Sequence, residues 1–314
     1  MDGKNLVICD KEARYAKGLG DNISERRELA FKVYACTSSE SVHCFLESRK
    51  IDVLLIDEGF THEERENFHA GQVFVLTKEA CKDLGDNEFE ISKYQSADAI
   101  LAEVIDTYLR KSKVTILKKI KKQSKKMIAV YSPIHRSGKT TLAFTMGKEL
   151  AEKRKTLYLN LEGYSVLQSD GKDLGELLYY LRQEPESLGA RLSVMVQKQG
   201  ALDYVAPMQM ITDLKEITVN EWKTLLQRIL EESVYEFVVL DLSDCVDGVF
   251  EILQLCDRVY MPVLEEEISH QKVCRYEETI LRLGLEEILQ KTTKFIVPGD
   301  MEEYAKKLVG EEGV

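Results

Sequence analysis

A glycine-containing turn between an apolar run and a helical pattern is the feature that most constrains the fold. The apolar run is Met127–Tyr131, the turn is Ser132–Gly138 (Ser-Pro-Ile-His-Arg-Ser-Gly), and Lys139-Thr140-Thr141 begin the helical pattern. This order of strand, turn and helix is typical of an α/β fold with a parallel sheet. It also directs backbone N–H groups and the positive end of a helix toward one point, as in a phosphate-binding loop.

Part of this segment forms a candidate nucleotide-binding site. Its residues are Ser137, Gly138, Lys139, Thr140 and Thr141. Lys139 is expected to reach the β- and γ-phosphates of ATP, and the Thr140 hydroxyl is expected to bind Mg²⁺. The pattern G-x-x-x-x-G-K-[ST] is incomplete, because Pro133 stands at its first glycine. The alternative is an ordinary helix start that contains Gly-Lys-Thr by chance, but the strand before it favours the phosphate-binding loop.

Two acidic residues at predicted strand ends belong to the same candidate site. The apolar run Val238–Leu240 is followed by Asp241, whose carboxylate is expected to hold the Mg²⁺ shell. The predicted strand after the loop helix is followed by Glu162, which is expected to act on the attacking water or on the metal shell. Asn160, two residues earlier, is either part of this site or a satisfied polar group at a strand end.

The first hundred residues alternate apolar runs with helical patterns, which predicts another parallel sheet covered on both faces. Four chemically distinctive residues follow its predicted strands: Asp10, Asp57, Thr77 and Lys93. In such sheets, functional residues collect outside the carboxyl ends of the strands. A carboxylate nucleophile, a second carboxylate for Mg²⁺ and a cation are the groups that phosphoryl transfer needs.

This order of residues resembles the receiver domain of response regulators over about the first 110 residues. The resemblance implies Asp57 as the phospho-accepting residue and Asp10 as a metal ligand. It is degenerate, because Cys9-Asp10 replaces the usual acidic pair and the segment between Thr77 and Phe89 is too short and weakly patterned for a helix. We therefore expect a domain used for protein–protein contact, with phosphorylation of Asp57 as the alternative.

A basic segment separates the two halves of an otherwise acidic chain. The net charge is −11, yet residues 110–126 carry nine basic residues and no acidic one. We predict a receiver-like domain at 1–109, a basic linker at 110–126 and a nucleotide-binding domain at 127–314. The segment is either a solvated linker or a contact for an anionic surface. The seven cysteines contain no Cys-x-x-Cys pair, and with no signal peptide or apolar span we expect a cytoplasmic protein with reduced thiols.

The second half resembles MinD/ParA-type ATPases, whose deviant loop reads K-G-G-x-G-K-[ST]. Besides the loop, Lys155–Glu162, Tyr235–Asp241 and Cys256–Val263 match successive motifs of that family. A receiver-like domain fused to such an ATPase is the arrangement of the TadZ/CpaE group. This resemblance implies two doubly wound parallel-sheet domains, one of the receiver-like flavodoxin type and one of the P-loop NTPase type.

The same resemblance implies ATP and Mg²⁺ as cofactors and an ATP-dependent homodimer. It also implies a role in positioning Flp (tight-adherence) pilus or secretion machinery, through assembly proteins at the inner face of the membrane. The catalytic candidates are Lys139, Asp241, Glu162 and Arg136. The family's cross-dimer lysine falls at Ile134, so we expect hydrolysis to be weak unless Arg136 supplies the missing cation.

Other classes of function fit the sequence less well. A response regulator with a nucleotide-binding output domain is the alternative kept open, and it requires phosphorylation of Asp57. A P-loop tyrosine kinase is disfavoured, because Tyr179-Tyr180 are not part of a C-terminal tyrosine cluster. No sequence-specific nucleic-acid binding is expected, since the chain has neither a helix-turn-helix pattern nor aromatic residues among basic ones.

Overall fold

The structure is a computed structural model that describes residues 4–26, 29–78, 83–111, 125–167, 172–183, 188–297 and 299–312. Its contacts divide the chain into two compact units, Met1–Lys119 and Ile120–Val314, and each contains one sheet. Most of the predicted linker, residues 112–124, lies outside the described residues. Lys126, the last residue of that prediction, is already the first residue of a strand in the second unit.

The first unit contains a five-stranded parallel sheet. Its strands are β1 Lys4–Cys9, β2 Phe31–Cys36, β3 Val53–Asp57, β4 Gln72–Thr77 and β5 Glu88–Ser92. Its helices are α1 Ala13–Glu25, α2 Ser39–Leu46, α3 His62–Asn67 and α4 Ala97–Lys111. The strand order β2-β1-β3-β4-β5 is that of flavodoxin-type doubly wound folds, which confirms the predicted fold class.

Continuous apolar runs form the central strands of this sheet. All five residues of β3 are buried, and so are the last four of β1. Central strands of a parallel sheet are covered on both faces, so side chains of both orientations enter a core. Between β4 and β5, the described residues 78 and 83–87 form no helix, in agreement with the weak pattern there.

The second unit contains a seven-stranded sheet and nine helices in the part of the chain that the structure describes. Its strands are β6 Lys126–Val130, β7 Thr156–Leu161, β8 Gln197–Gln199, β9 Leu202–Val205, β10 Phe237–Leu242, β11 Arg258–Val263 and β12 Thr292–Ile296. Its helices are α5 Lys139–Ala151, α6 Leu174–Gln183, α7 Leu188–Met195, α8 Ile211–Glu216, α9 Val219–Glu232, α10 Val249–Leu255, α11 Glu267–Arg282, α12 Glu286–Gln290 and α13 Met301–Glu311.

The order of this sheet, β12-β11-β6-β10-β7-β9-β8, places the loop after β6 at a reversal of strand order. From β6 the chain passes over β10 to β7, and it later returns to β10 and β11, the two neighbours of β6. Ligands of doubly wound folds bind at such reversals, outside the carboxyl ends of the strands. The sheet is parallel as predicted, except that the edge strand β8 pairs antiparallel with β9.

Helix α9 shows how local sequence specifies an element here. The spacing Thr218-x-x-Glu221 predicts a capping box, and the structure forms it, with Glu221 accepting a 2.9 Å hydrogen bond from the Thr218 backbone N–H. Trp222, Leu225 and Ile229 are buried at helical spacing against the large core of the second unit. In the described part of the chain, no helix has the length and apolar character needed to cross a membrane.

Candidate functional site

The loop after β6 enters α5 through a glycine in the left-handed region. Gly138 is the N-cap of α5 and has a φ of 78°, a conformation that glycine adopts at little cost. A Cβ at this position would lie 3.1 Å from Cε of Met301, so a larger residue would be crowded as well as strained. Arg136 also has a positive φ, of 58°, which costs a non-glycine residue conformational energy.

Two buried serines hold this loop in place. The Ser132 hydroxyl donates to the carbonyl of Pro262 at 2.8 Å and accepts from the backbone N–H of Ile134 at 3.3 Å. The Ser137 hydroxyl donates to the carbonyl of Ile134 at 3.0 Å. These hydrogen bonds fix the loop without the first glycine of the usual pattern, whose place is taken by Pro133.

Lys139 and Glu162, two of the predicted catalytic residues, form an ion pair. Nζ of Lys139 lies 3.3 Å from Oε1 of Glu162, and the lysine side chain is almost fully buried. The pair therefore places one positive and one negative group beside the helix N-terminus. A phosphate bound there would compete with Glu162 for Lys139, because both are anions.

Asp241 lies at the carboxyl end of β10 and is completely buried. Its Oδ2 accepts hydrogen bonds from the Tyr158 hydroxyl at 3.0 Å and from Nδ2 of Asn160 at 3.2 Å. Its Oδ1 is buried without a hydrogen-bond partner. A bound cation would give this oxygen a partner.

The electrostatics of Asp241 follow from its burial. Burial raises its pKa from 3.8 to about 6, and the charge of Glu162 acts in the same direction. The neighbouring hydroxyl of Thr140, the hydrogen bond from Tyr158 and the charge of Lys139 oppose this rise in pKa. Burial also raises the pKa of Tyr158 well above its ordinary value, so the phenol stays protonated and can donate.

These residues fit a magnesium ion bound together with a phosphate chain. Mg²⁺ takes oxygen ligands and keeps several waters, so one carboxylate and one hydroxyl suffice when phosphates supply the rest. Thr140 lies close enough to Asp241 to lower its pKa, so the two predicted ligands are neighbours. The unpartnered Oδ1 of Asp241 is the atom that such a shell would engage.

The other residues of the loop that the sequence analysis named differ in their exposure to solvent. Ile134 is buried, whereas His135, Arg136 and Thr141 are exposed. Among the described residues, the Arg136 side chain forms no hydrogen bond or ion pair with Lys139, Glu162 or Asp241. The loop therefore presents a cation at its surface without directing it into the site.

In the first unit, one lysine occupies the centre of the acidic cluster. Nζ of Lys93 lies 2.7 Å from Oδ2 of Asp10, 2.7 Å from Oδ2 of Asp57 and 3.2 Å from Oε1 of Glu12. Hydrogen bonds and charge from these carboxylates raise the pKa of Lys93 against the opposing effect of burial. The structure thus brings Asp10, Asp57 and Lys93 together at one edge of the sheet, with Glu12 beside them.

Thr77 forms its hydrogen bond with a residue outside the Lys93 cluster. Its hydroxyl donates to Oε1 of Glu90 at 3.0 Å and so faces the edge strand β5. In the part of the chain that the structure describes, no group of three His, Cys, Asp or Glu side chains is arranged to hold a metal ion. The cluster around Lys93 is thus an ion-pair network between carboxylates and an ammonium group.

Tyr158 is the site residue that sequence analysis missed. It sits in the middle of β7, in an apolar run where a buried aromatic residue predicts only core packing. The available signal was its spacing, because Tyr158 and Asn160 are two residues apart on one strand and so point to the same face, and Glu162 follows at the same spacing just after the strand.

Comparison with known proteins finds similarity to solved structures alone. No family model matches the chain, and no curated protein is similar to it. A ParA family ATPase from Chlorobium tepidum TLS shares 15% identity over 59% of this chain and 81% of its own, with a TM-score of 0.47. Cobyrinic acid a,c-diamide synthase from Mycobacterium smegmatis, solved with an ATP analog and magnesium, shares 16% over 60% and 81%, with a TM-score of 0.42.

The MinC:MinD cell division protein complex of Aquifex aeolicus shares 15% identity over 55% of this chain and 68% of its own, with a TM-score of 0.39. Similarities this remote carry no conclusion about activity. The assignment to the doubly wound α/β class follows from the strand order itself.

Proposed function

We propose that the chain is an ATP-binding positioning or scaffold protein of the MinD/ParA type. The observation that carries the proposal is the arrangement of Gly138, Lys139 and Asp241 at the strand-order reversal of the second unit. Lys139 and Asp241 are the two charged groups that a nucleotide and its metal need, and each is held in place by hydrogen bonds or an ion pair.

In this proposal the nucleotide replaces a contact within the protein. Lys139 leaves Glu162 and donates to the phosphates, while the N-terminal amides of α5 bind the phosphate chain. Thr140 and Asp241 hold Mg²⁺, which supplies positive charge to the phosphate oxygens. Glu162, released from Lys139, can accept a proton from an attacking water.

Hydrolysis is expected to be weak. Ile134 is buried where the resembling family carries its cross-dimer lysine, and Arg136 lies at the surface of the loop. An added cation of that kind accounts for about 10³-fold or more in rate in related chemistry. ATP therefore serves this protein mainly as a ligand that changes its assembly state.

The partners we propose are a second copy of the chain and the assembly proteins of a Flp-type pilus or secretion machine. Supporting this, large apolar side chains are exposed in loops at the same edge of the sheet as the nucleotide site. Tyr164 and Val166, which follow β7, are 87% and 91% exposed, and Met210, which follows β9, is 57% exposed. Recruitment to the inner face of the membrane would occur through these partners.

The test is calorimetric titration of the full chain with ATP and MgCl₂, followed by gel filtration. We expect binding by the wild type and a shift toward twice the mass. Lys139→Ala removes charge-assisted hydrogen bonds worth about 1.5–3 kcal/mol each, so its affinity should fall by at least tenfold. The control is Lys148→Ala, which removes an exposed lysine from the same helix. Equal affinity of wild type and Lys139→Ala would contradict the proposal.

The convergence of Asp10, Asp57 and Lys93 supports a second candidate function, a response regulator phosphorylated at Asp57. Treatment with a small phosphodonor and Mg²⁺ should then add one phosphoryl group, measured by intact mass, and Asp57→Asn should abolish it. Lys93 is already paired with both carboxylates, so the first proposal predicts no transfer. Phosphorylation of the wild type would establish this second function.

A further inference from the structure

The inference concerns the residues that surround Asp241, and it rests on the proposed binding of ATP and Mg²⁺. Asp241 is completely buried, yet no cation lies within hydrogen-bonding distance of either of its oxygens among the described residues. Its two oxygens have opposite environments. Oδ2 accepts two hydrogen bonds from neutral groups, whereas Oδ1 accepts none.

The orientation of the Asn160 amide is determined by the backbone. The backbone N–H of Glu162 donates to Asn160 at 3.1 Å, so the atom that receives this bond must be the carbonyl Oδ1. Nδ2 then faces Tyr158 and Asp241, at 3.0 Å and 3.2 Å. Its two protons satisfy one acceptor each.

The donors and acceptors around the Tyr158 hydroxyl also determine where it donates its hydrogen bond. Because the Tyr158 hydroxyl oxygen accepts a hydrogen bond from Asn160, its own single proton is available for Oδ2 of Asp241, 3.0 Å away. Oδ2 therefore accepts twice and carries no proton itself. The carboxylate plane is held, and Oδ1 is left as the only oxygen free to take a further partner.

The Tyr158 ring is itself immobilised by the loop helix. It packs edge-on against Phe144 of α5, with ring centroids 5.4 Å apart and an interplanar angle of 77°. The ring thus links the helix that begins with Lys139 to the strand that carries Asp241. A residue in this position can hold the metal ligand at a constant distance from the phosphate-binding loop.

We propose that Tyr158 and Asn160 are positioning residues, which hold Oδ2 of Asp241 so that Oδ1 faces the Mg²⁺ of a bound nucleotide. Carboxylates that bind metals are commonly oriented by hydrogen bonds of this kind. Neither residue touches the nucleotide, so both act on the metal through Asp241. Their effect should appear in the coupling between Mg²⁺ and ATP and be absent from the affinity for ATP alone.

The experiment measures the affinity of the full chain for ATP by calorimetry, in excess MgCl₂ and in EDTA. The dissociation constant of ATP in EDTA divided by that in MgCl₂ measures the coupling between Mg²⁺ and ATP binding. Tyr158→Phe keeps the ring and removes only the hydroxyl, and it should reduce this ratio about tenfold, with affinity in EDTA unchanged. Tyr235→Phe is the matched control, because Tyr235 donates an equally buried 3.0 Å hydrogen bond to Asp203, away from the loop.

Each outcome decides the matter. A ratio in Tyr158→Phe equal to that of the wild type and of Tyr235→Phe overturns the inference and leaves ATP binding intact. If Tyr158→Phe does not fold by circular dichroism, Asn160→Ala is measured in the same way, with the same criterion. If the wild type binds ATP in neither buffer, the proposed function fails, and this inference fails with it.

Discussion

At the scale of single residues, the two units accommodate buried carboxylates in different ways. Asp10 and Asp57 share the ammonium group of Lys93, which is itself buried. Asp241 has only neutral donors on Oδ2 and none on Oδ1. The first arrangement pairs its carboxylates with a cation of the protein itself, whereas the second leaves one carboxylate oxygen without a hydrogen-bond partner.

This difference predicts a pH dependence of stability for the second unit. The pKa of Asp241 is about 6 in the folded protein and 3.8 as the reference value for the unfolded chain. Between these values the folded state holds a proton that the unfolded state has lost. The free energy of unfolding therefore falls as pH rises through this window, by about 2 to 3 kcal/mol in total.

Asp241→Asn tests this prediction, because it removes the titrating group. Urea unfolding without nucleotide should show the variant gaining stability relative to wild type as the pH is raised from about 4 to about 7. Parallel stability profiles of the two proteins across that range would contradict it.

At the scale of elements, the N-termini of helices α5 and α9 differ in how they are capped. The N-cap of α5 is Gly138, in the left-handed region, whereas the N-cap of α9 is Thr218, which forms a capping box. The first leaves backbone N–H groups free for a ligand, while the second satisfies them with side chains. Of the two helix starts, only the first lies at the candidate nucleotide site.

Removing the α9 cap should cost stability without affecting ligand binding. Thr218→Ala loses the hydroxyl that accepts from the Glu221 backbone, which should lower the free energy of unfolding by about 1 kcal/mol. Thr224→Ala is the control, since it makes the same substitution at an exposed position within the helix. Urea titration measures the free energy of unfolding of both variants. Equal values for Thr218→Ala and Thr224→Ala would show that the cap contributes nothing.

At the scale of the whole molecule, the chain comprises two units with separate sheets. The candidate nucleotide site belongs wholly to the second, and the Lys93 cluster wholly to the first. A ligand bound to one folded unit stabilises that unit in proportion to its affinity and concentration.

Calorimetric unfolding should therefore show ligand-dependent and ligand-independent transitions. ATP with Mg²⁺ at about 100 times its dissociation constant should stabilise the second unit by about 2.7 kcal/mol. The transition of the first unit should stay in place, and Lys139→Ala should abolish the shift. A shift of both transitions together would indicate that the two units unfold as one.

Much of the architecture was readable from the sequence, because periodicity is a local property. Apolar runs alternating with helical patterns predicted two parallel α/β sheets, and Thr218 with Glu221 predicted the start of α9. The short helices α7, α8 and α12 and the edge strand β8 were missed. Segments of this length carry too few residues for a clear period, and packing decides their conformation.

Within the site, the sequence by itself determined which groups are present, and only the tertiary structure decided which of them meet. Ser137, Gly138, Lys139 and Thr140 are neighbours in the chain, so their roles could be predicted together. Tyr158 and Asp241 are separated by 83 positions, and they meet because β7 lies beside β10. A hydrogen bond between strands that are far apart in the sequence depends on sheet order and register, and neither is encoded in any local run of residues.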